Sequence, residues 1–229
     1  MHLVILSGAG ISAESGVKTF RDNNGLWENH RVEDVATPEA FARNPALVYQ
    51  FYNQRRAQLH EVAPNDAHRI IAELEQQHDV SVITQNVDDL HERAGSTNVL
   101  HLHGELRKAR PSDGRGEAVE WLDDLGPEHK DERGVALRPH IVWFGEDVPL
   151  LPRAARIVST ADVVIIIGTS MQVYPAAGLV GYAPEQAAIF YVDPNPSINY
   201  ELRQRRVTLF EMGGSEGMRA IRDVLQTFG

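Results

Sequence analysis

The chain contains no cysteine among its 229 residues. That absence excludes disulfides, thiolate nucleophiles and any zinc site built from cysteine ligands. Basic blocks are missing as well: 22 lysines and arginines stand against 32 aspartates and glutamates, for a formal net charge of −10. Gripping nucleic acid takes a basic stripe that displaces phosphate counterions, so no nucleic-acid partner is expected. An acidic surface can steer lysine-bearing partners, and it serves solubility equally well. Long apolar runs are lacking too. Residues 163–167 form one of the longest, against the roughly 20 residues that a spanning helix needs, so no membrane association is expected. The opening Met1-His2-Leu3-Val4-Ile5-Leu6 has neither the basic segment nor the cleavage site of a secretory leader. Cytoplasmic residence is the expectation.

What is present is ordinary globular composition, 42% hydrophobic and 24% charged. Five short runs rich in β-branched residues, 3–6, 80–84, 163–167, 188–192 and 207–210, read as strands covered on both faces. Between them lie helical patterns. Ala67, Ile70, Ile71 and Leu74 recur at i, i+3, i+4 and i+7 behind a capping Asn65. Met218, Ile221, Val224, Leu225 and Phe228 repeat the pattern, with Ser215 as the expected cap. This alternation predicts an α/β fold with a doubly wound parallel sheet. Two stretches break it. Residues 17–59 carry polar loop sequence and a helix-like run at 45–59, and residues 108–137 are charged and rich in glycine and proline, with a helix-like patch at 117–125. Together they are expected to form a small second domain, leaving 1–16, 60–107 and 138–229 as the large one.

The first strand runs into Gly8-Ala9-Gly10-Ile11-Ser12-Ala13, which fits G-x-G-x-x-G/A. Glycines there allow a tight turn and let a pyrophosphate approach backbone N–H groups. A hydride-transfer enzyme of this design has an acidic residue about 20 positions on, at the end of a second strand. Here that region is polar loop, Val17 to Trp27, with no apolar strand leading to Asp22. A dinucleotide site is expected without the dehydrogenase layout. Further on, Leu100-His101-Leu102-His103-Gly104 alternates leucine and histidine, which on an extended segment puts both imidazoles on one face. Taken alone, the pair fits a general base, a His-x-His metal pair, or two structural histidines.

Gly8-Ala9-Gly10-Ile11-Ser12 with Ser15-Gly16 and Thr19-Phe20-Arg21-Asp22 resembles the N-terminal cofactor motif of the sirtuins. Thr84-Gln85-Asn86-Val87-Asp88-Asp89-Leu90-His91, Leu102-His103-Gly104, Val142-Trp143-Phe144-Gly145-Glu146, Gly168-Thr169-Ser170 and Val192-Asp193-Pro194-Asn195 resemble the family's later motifs, in family order. The resemblance spans nearly the whole chain. It implies a Rossmann-type large domain, a small inserted domain, and NAD as cofactor. The implied reaction takes acyl-lysine and NAD to lysine, nicotinamide and O-acyl-ADP-ribose: nicotinamide leaves as the acyl oxygen attacks the ribose, and a histidine then activates a ribose hydroxyl.

By the same resemblance His103 is the base, with Asn86 and Asp88 completing the catalytic set and His101 structural. Asn86 orders the nicotinamide ribose, Asp88 meets the carboxamide, and Gln85 contacts ribose hydroxyls. Gly8, Ala9, Gly10, Ser12, Thr19, Phe20, Arg21, Gly168, Thr169, Ser170 and Asn195 are the remaining implied cofactor contacts. Asp89 reads more simply as a helix cap. Val142, Phe144, Gly145 and Glu146 are the implied contacts to an acylated-lysine protein or peptide, whose backbone is expected to pair with this segment as an added strand. Tyr52 and Arg55 stand i, i+3 on the run 45–59 and face one way; they resemble the pair found in sirtuins that remove succinyl, malonyl and glutaryl groups.

The sequence departs from the family at the zinc module. Where a Cys-x-x-Cys is expected stands Pro111-Ser112-Asp113-Gly114, and the second pair is missing before Leu137-Arg138-Pro139-His140. His129 and His140 match no metal-ligand spacing. No metal is expected; a short helix carrying Trp121, Leu122 and Leu125 is expected in its place. Two rival functions use the same nucleotide residues: a non-catalytic NAD or ADP-ribose sensor, and an ADP-ribosyltransferase. A placed base argues against the sensor.

Overall fold

Short apolar strands alternating with amphipathic helices can bury both faces of a parallel sheet between helical layers, and the chain adopts that arrangement. A computed structural model describes residues 1–18, 26–27 and 29–228. Along the chain, β1 (His2–Ser7) leads into a 3-10 segment (Ala9–Ser15), then β2 (Leu26–Trp27), β3 (His30–Arg31), α1 (Val32–Val35), α2 (Pro38–Arg43), α3 (Pro45–Gln58) and α4 (Asp66–Leu74). Next come β4 (Asp79–Thr84), α5 (Leu90–Ala94), β5 (Val99–His101), β6 (Gly104–Pro111), β7 (Val119–Glu120) and β8 (Leu137–Ile141). The last part runs α6 (Leu151–Val158), β9 (Val163–Ile167), a 3-10 segment (Ala176–Tyr182), β10 (Ala188–Val192), α7 (Tyr200–Arg203), β11 (Val207–Phe210) and α8 (Gly214–Leu225). Among the described residues no helix is long and apolar enough to cross a membrane.

The large sheet is six-stranded in the order β11-β10-β9-β1-β4-β5, with every pairing parallel. All five strands read from the sequence belong to it; β5 is the one not foreseen. Strand alternation divides the core. Val4 and Leu6 of β1 face one apolar cluster with Ala154 and Val158 of α6, while Leu3 and Ile5 face the other with Ile70, Ile71, Met218 and Ile221 of α4 and α8. From β1 the chain builds outward through β4 and β5, then returns to β9 on the opposite side of β1. That reversal opens a crevice at the carboxyl ends of the central strands, where open α/β sheets bind ligands.

Asn65 caps α4 as expected, accepting from the Ala67 N–H at 2.9 Å. The C-terminal helix corrects the reading of Ser215. Its N-cap is Gly213, with no side-chain cap, and Ser215 lies inside the first turn. The Ser215 N–H instead donates to the Glu14 carboxylate at 3.0 Å. A carboxylate brought in from the 9–15 segment meets both the open N–H and the positive end of the helix, so no local capping side chain is required.

A second, antiparallel sheet of order β7-β6-β8 packs beside α1–α3 around Phe51, Tyr52, Leu106, Ile141 and Trp143. The helix expected over 117–125 does not form: Val119–Glu120 is β7 and the rest is irregular, with a bend at Asp123. Glu117, Glu120, Asp123 and Asp124 would stack like charges at i, i+3 and i+4. Leu125 is buried all the same, because Asn53 of α3 accepts its N–H at 2.9 Å and donates to its carbonyl at 3.0 Å. Trp121 stacks edge-on to His129, and Leu122 is exposed. Strand β8 ends at Ile141, and Phe144-Gly145 turns, with Gly145 at φ +89°.

Candidate active site

Two loops meet at the crevice, one after β1 and one after β9. The Gly8 N–H donates to the Ile167 carbonyl at 3.1 Å and the Gly10 N–H to the Gly168 carbonyl at 2.7 Å. A Cβ on Gly10 would lie 2.7 Å from the Gly168 Cα, and one on Gly168 would lie 2.1 Å from the Ile11 nitrogen, at a φ of +62°. The glycines are therefore demanded by backbone-to-backbone contact between the loops, and that contact sets the shape of the crevice floor. Thr169 sits next in line; its hydroxyl accepts from Gln85 Nε2 at 3.1 Å, joining the end of β9 to the end of β4. Ala9 and Ser170 are half-buried beside this junction, and Asn195 is exposed in the turn after β10, its N–H on Asp193 Oδ1 at 2.8 Å. Thr19, Phe20 and Arg21 lie outside the described residues.

Ser12, Asn86 and Asp88 form a buried polar cluster. Ser12 Oγ donates to Asp88 Oδ2 at 3.0 Å and accepts from Asn86 Nδ2 at 3.2 Å. The Asn86 N–H rests on Thr84 Oγ1, and Asp88 Oδ1 accepts the Leu90 N–H. Burial pushes the Asp88 carboxyl up, against the lowering effect of these hydrogen bonds. Asp88, not Asp89, thus supplies the side-chain bond at the start of α5. The Asp89 carboxylate is taken by Arg107 at 3.0 Å and Arg93 at 3.6 Å.

The two histidines of the 100–104 segment part company because β5 ends at His101 and the chain turns at Leu102-His103. His101 Nδ1 meets the Asn86 carbonyl at 2.9 Å and Nε2 the Glu92 carboxylate at 2.7 Å. Both partners are acceptors, so both nitrogens donate. Burial alone lowers the imidazole pKa, yet the Glu92 carboxylate outweighs it and His101 is raised, with Glu92 lowered in turn. Neither nitrogen of His101 is left for a metal or a substrate proton. His103 differs. Its Nδ1 lies 3.2 Å from the Gln85 carbonyl, which only accepts, so Nδ1 carries the hydrogen and Nε2 carries the basic lone pair. Burial lowers the His103 pKa, against the smaller raising effect of that bond, which favours the neutral, proton-accepting form.

On α3, Tyr52 is fully buried against Trp27, Phe51 and Trp143, and Arg55 is half-buried with its guanidinium carbon 5.1 Å from the centre of the Phe51 ring. Tyr52 Oη accepts a hydrogen bond from Trp143 Nε1 at 3.0 Å. Of the residues expected to meet a substrate, Phe144 and Gly145 are exposed, while the Val142 N–H is bonded to the His103 carbonyl at 2.9 Å. Glu146 faces inward. Its carboxylate accepts from Arg138 at 2.7 and 3.0 Å, from Arg110 at 3.4 Å and from the Trp143 N–H at 2.8 Å. Sequence reading passed over Trp143, because its partner Tyr52 stands 91 residues away and no local pattern links them.

The polar groups gathered here suit a dinucleotide: hydroxyls, amides and a carboxylate at the ends of β1, β4 and β9, over a floor of glycine backbone. They do not suit zinc. The chain has no cysteine, and no group of three or more histidine and acidic side chains among the described residues is placed to hold a metal ion.

Comparison with known proteins agrees with this geometry. Residues 8–175 match the model of the Sir2 family. The chain is similar to an NAD-dependent protein deacylase of Aggregatibacter actinomycetemcomitans, 56% identical over 86% of this chain and 95% of the relative. It is similar to an NAD-dependent protein deacylase of Bacteroides thetaiotaomicron, 49% identical over 98% of this chain and 97% of the relative. Among solved structures, the crystal structure of a Sir2 homologue–NAD complex superposes with a TM-score of 0.87 at 41% identity, covering 100% of this chain and 91% of that one. The ADP-ribose complex of a Sir2 homologue carrying a serine-to-alanine substitution also gives a TM-score of 0.87, at 40% identity, over 98% of this chain and 93% of that one.

Proposed function

The chain belongs to the Sir2 family and is an NAD-dependent protein deacylase, and from that premise we propose that it removes short acidic acyl groups, succinyl and malonyl, as well as acetyl, from protein lysines. The observation that carries the catalytic assignment is the tautomer of His103. With Nδ1 tied to the carbonyl of Gln85, the residue before Asn86 of the Ser12–Asn86–Asp88 cluster, Nε2 is left as a neutral base. NAD, when bound, would supply an electrophilic ribose carbon and a nicotinamide leaving group.

The chain's own residues then have distinct tasks. Gly8, Ala9, Gly10, Gly168, Thr169 and Ser170 line the crevice floor where phosphates and ribose would rest on backbone N–H groups and hydroxyls. Asn86 and Asp88, held rigid by Ser12, orient the nicotinamide ribose and carboxamide. Gln85 positions a ribose hydroxyl near His103, whose Nε2 takes its proton. Exposed Phe144 and Gly145 lie along the entry of the acyl-lysine. Residues 1–16, 60–107 and 138–229 serve as the nucleotide-binding domain and 17–59 with 108–137 as the smaller one.

Tyr52 and Arg55 are assigned to the acyl carboxylate. A guanidinium fork and a phenol at i, i+3 on one helix would provide charge-assisted hydrogen bonds that an acetyl group cannot use. Replacing His103 with Ala is expected to abolish acyl removal while NAD still binds. Replacing Arg55 with Met is expected to lower kcat/KM far more for a succinyl-lysine peptide than for its acetyl counterpart, by about tenfold or more for one charge-assisted pair. Equal losses on both peptides would refute the acidic-acyl assignment.

A further inference from the structure

The hydroxyl of Tyr52 has one hydrogen to give and lone pairs to receive with. It receives from Trp143 Nε1 at 3.0 Å, and among the described residues its own hydrogen has no acceptor. An indole N–H can only donate, so Trp143 cannot reverse the bond and take the phenolic hydrogen. The phenol is therefore committed as a donor toward whatever enters beside it.

Trp143 is itself held from several sides. The Arg138 guanidinium carbon lies 3.3 Å from the centre of the indole ring, and Phe41 packs on it at 5.3 Å. Glu146 binds Arg138 with both carboxylate oxygens and also takes the Trp143 backbone N–H. A cation over the ring face is attracted by the indole quadrupole and draws electron density from it, which strengthens the N–H as a donor. Burial raises the Tyr52 pKa far above its ordinary value, so the phenol keeps its hydrogen. Glu146, Arg138, Trp143 and Tyr52 thus form one brace.

We propose that Trp143 is a specificity-determining positioning residue, which by donating to Tyr52 Oη fixes the phenol as a hydrogen-bond donor to the carboxylate of an acidic acyl group. The proposal rests on the assignment of Tyr52 and Arg55 to that carboxylate. A buried O–H without an acceptor carries a desolvation penalty, and a carboxylate arriving beside Arg55 relieves it. An acetyl methyl has no acceptor to offer, so the brace is silent toward it. Trp143 acts through Tyr52 alone.

Trp143→Phe keeps an aromatic ring for Arg138 and Phe41 and deletes the donor together with part of the buried indole volume. Steady-state kinetics with succinyl-lysine and acetyl-lysine versions of one peptide, at saturating NAD, would be compared for Trp143→Phe, Tyr52→Phe, Arg55→Met and the Trp143→Phe/Tyr52→Phe double variant. The expected loss in kcat/KM for Trp143→Phe is about five- to tenfold greater on succinyl than on acetyl, as suits one hydrogen bond to a charged group. It is carried mainly by KM, and the double variant is no worse than Tyr52→Phe. Replacing the Trp143 indole with benzothiophene, the same shape with sulfur for N–H, gives the same pattern and covers the case in which the phenylalanine variant does not fold. If Tyr52→Phe and Arg55→Met are succinyl-selective while both donor deletions are not, or if the double variant multiplies the single losses, the role of Trp143 is overturned by itself. If Tyr52→Phe and Arg55→Met strike both peptides equally, the pocket assignment falls and this proposal falls with it.

Discussion

His101 and His103 lie two positions apart, yet the acceptors around them give them opposite chemistry. His101 is clasped between the Asn86 carbonyl and the Glu92 carboxylate, which favours its protonated form, and it braces the loop that carries Asn86. His103 has a single carbonyl on Nδ1 and is shifted down by burial. A base must be neutral to act, and His103 is neutral at every pH above its lowered pKa. The acid limb of the kcat/KM profile is therefore expected to have its midpoint below the ordinary histidine value of about 6.5. A midpoint above that value would point to another group as the base. The motif around residues 100–104 was legible as a resemblance, but the alternation of leucine and histidine did not reveal which imidazole is which. That distinction comes from Glu92 and Gln85, which the fold brings in from other elements.

At the scale of elements, helix α8 shows how packing overrides local preference. Alanine is the better helix former by about 1 kcal/mol, so Gly217 within α8 reads as a weakness. The helix lies so close to β10 that a Cβ there would sit 2.2 Å from Val192 Cγ1. Gly217→Ala is expected to destabilise the chain by about 1–3 kcal/mol through overpacking, measured by urea unfolding, and Val192→Ala added to it is expected to recover part of the loss. A stabilised single variant would contradict the close packing. The apolar period made α4 and α8 legible, with the Asn65 cap marking the start of α4, because those signals are local. Three features were not, for one shared reason. The Glu14 carboxylate at the start of α8, the Asn53 clamp on Leu125, and the Trp143–Tyr52 bond each join residues far apart in sequence. The absence of a helix over 117–125 follows from the same clamp together with the run of acidic side chains.

For the whole molecule, strand order is what gathers the site. Five strands were readable as apolar runs because both faces are covered; β5 was not, since it has only three residues and ends at the His101 turn. Once β1 lies between β9 and β4, Gly8 and Ser12 follow the first strand, Thr169 the second and Asn86 the third, all at one edge. Tyr52 and Arg55 lie on α3 and Trp143 follows β8, so under the proposed assignment cofactor chemistry and acyl choice rest on different elements. The most direct test of this arrangement is NAD-dependent nicotinamide release measured with succinyl-lysine and acetyl-lysine forms of one peptide. Release with both, and a higher kcat/KM for succinyl, is the expected result. Release with acetyl alone would contradict the acyl assignment, and release with neither, while NAD still binds, would contradict the catalytic role of His103 and leave a nucleotide sensor.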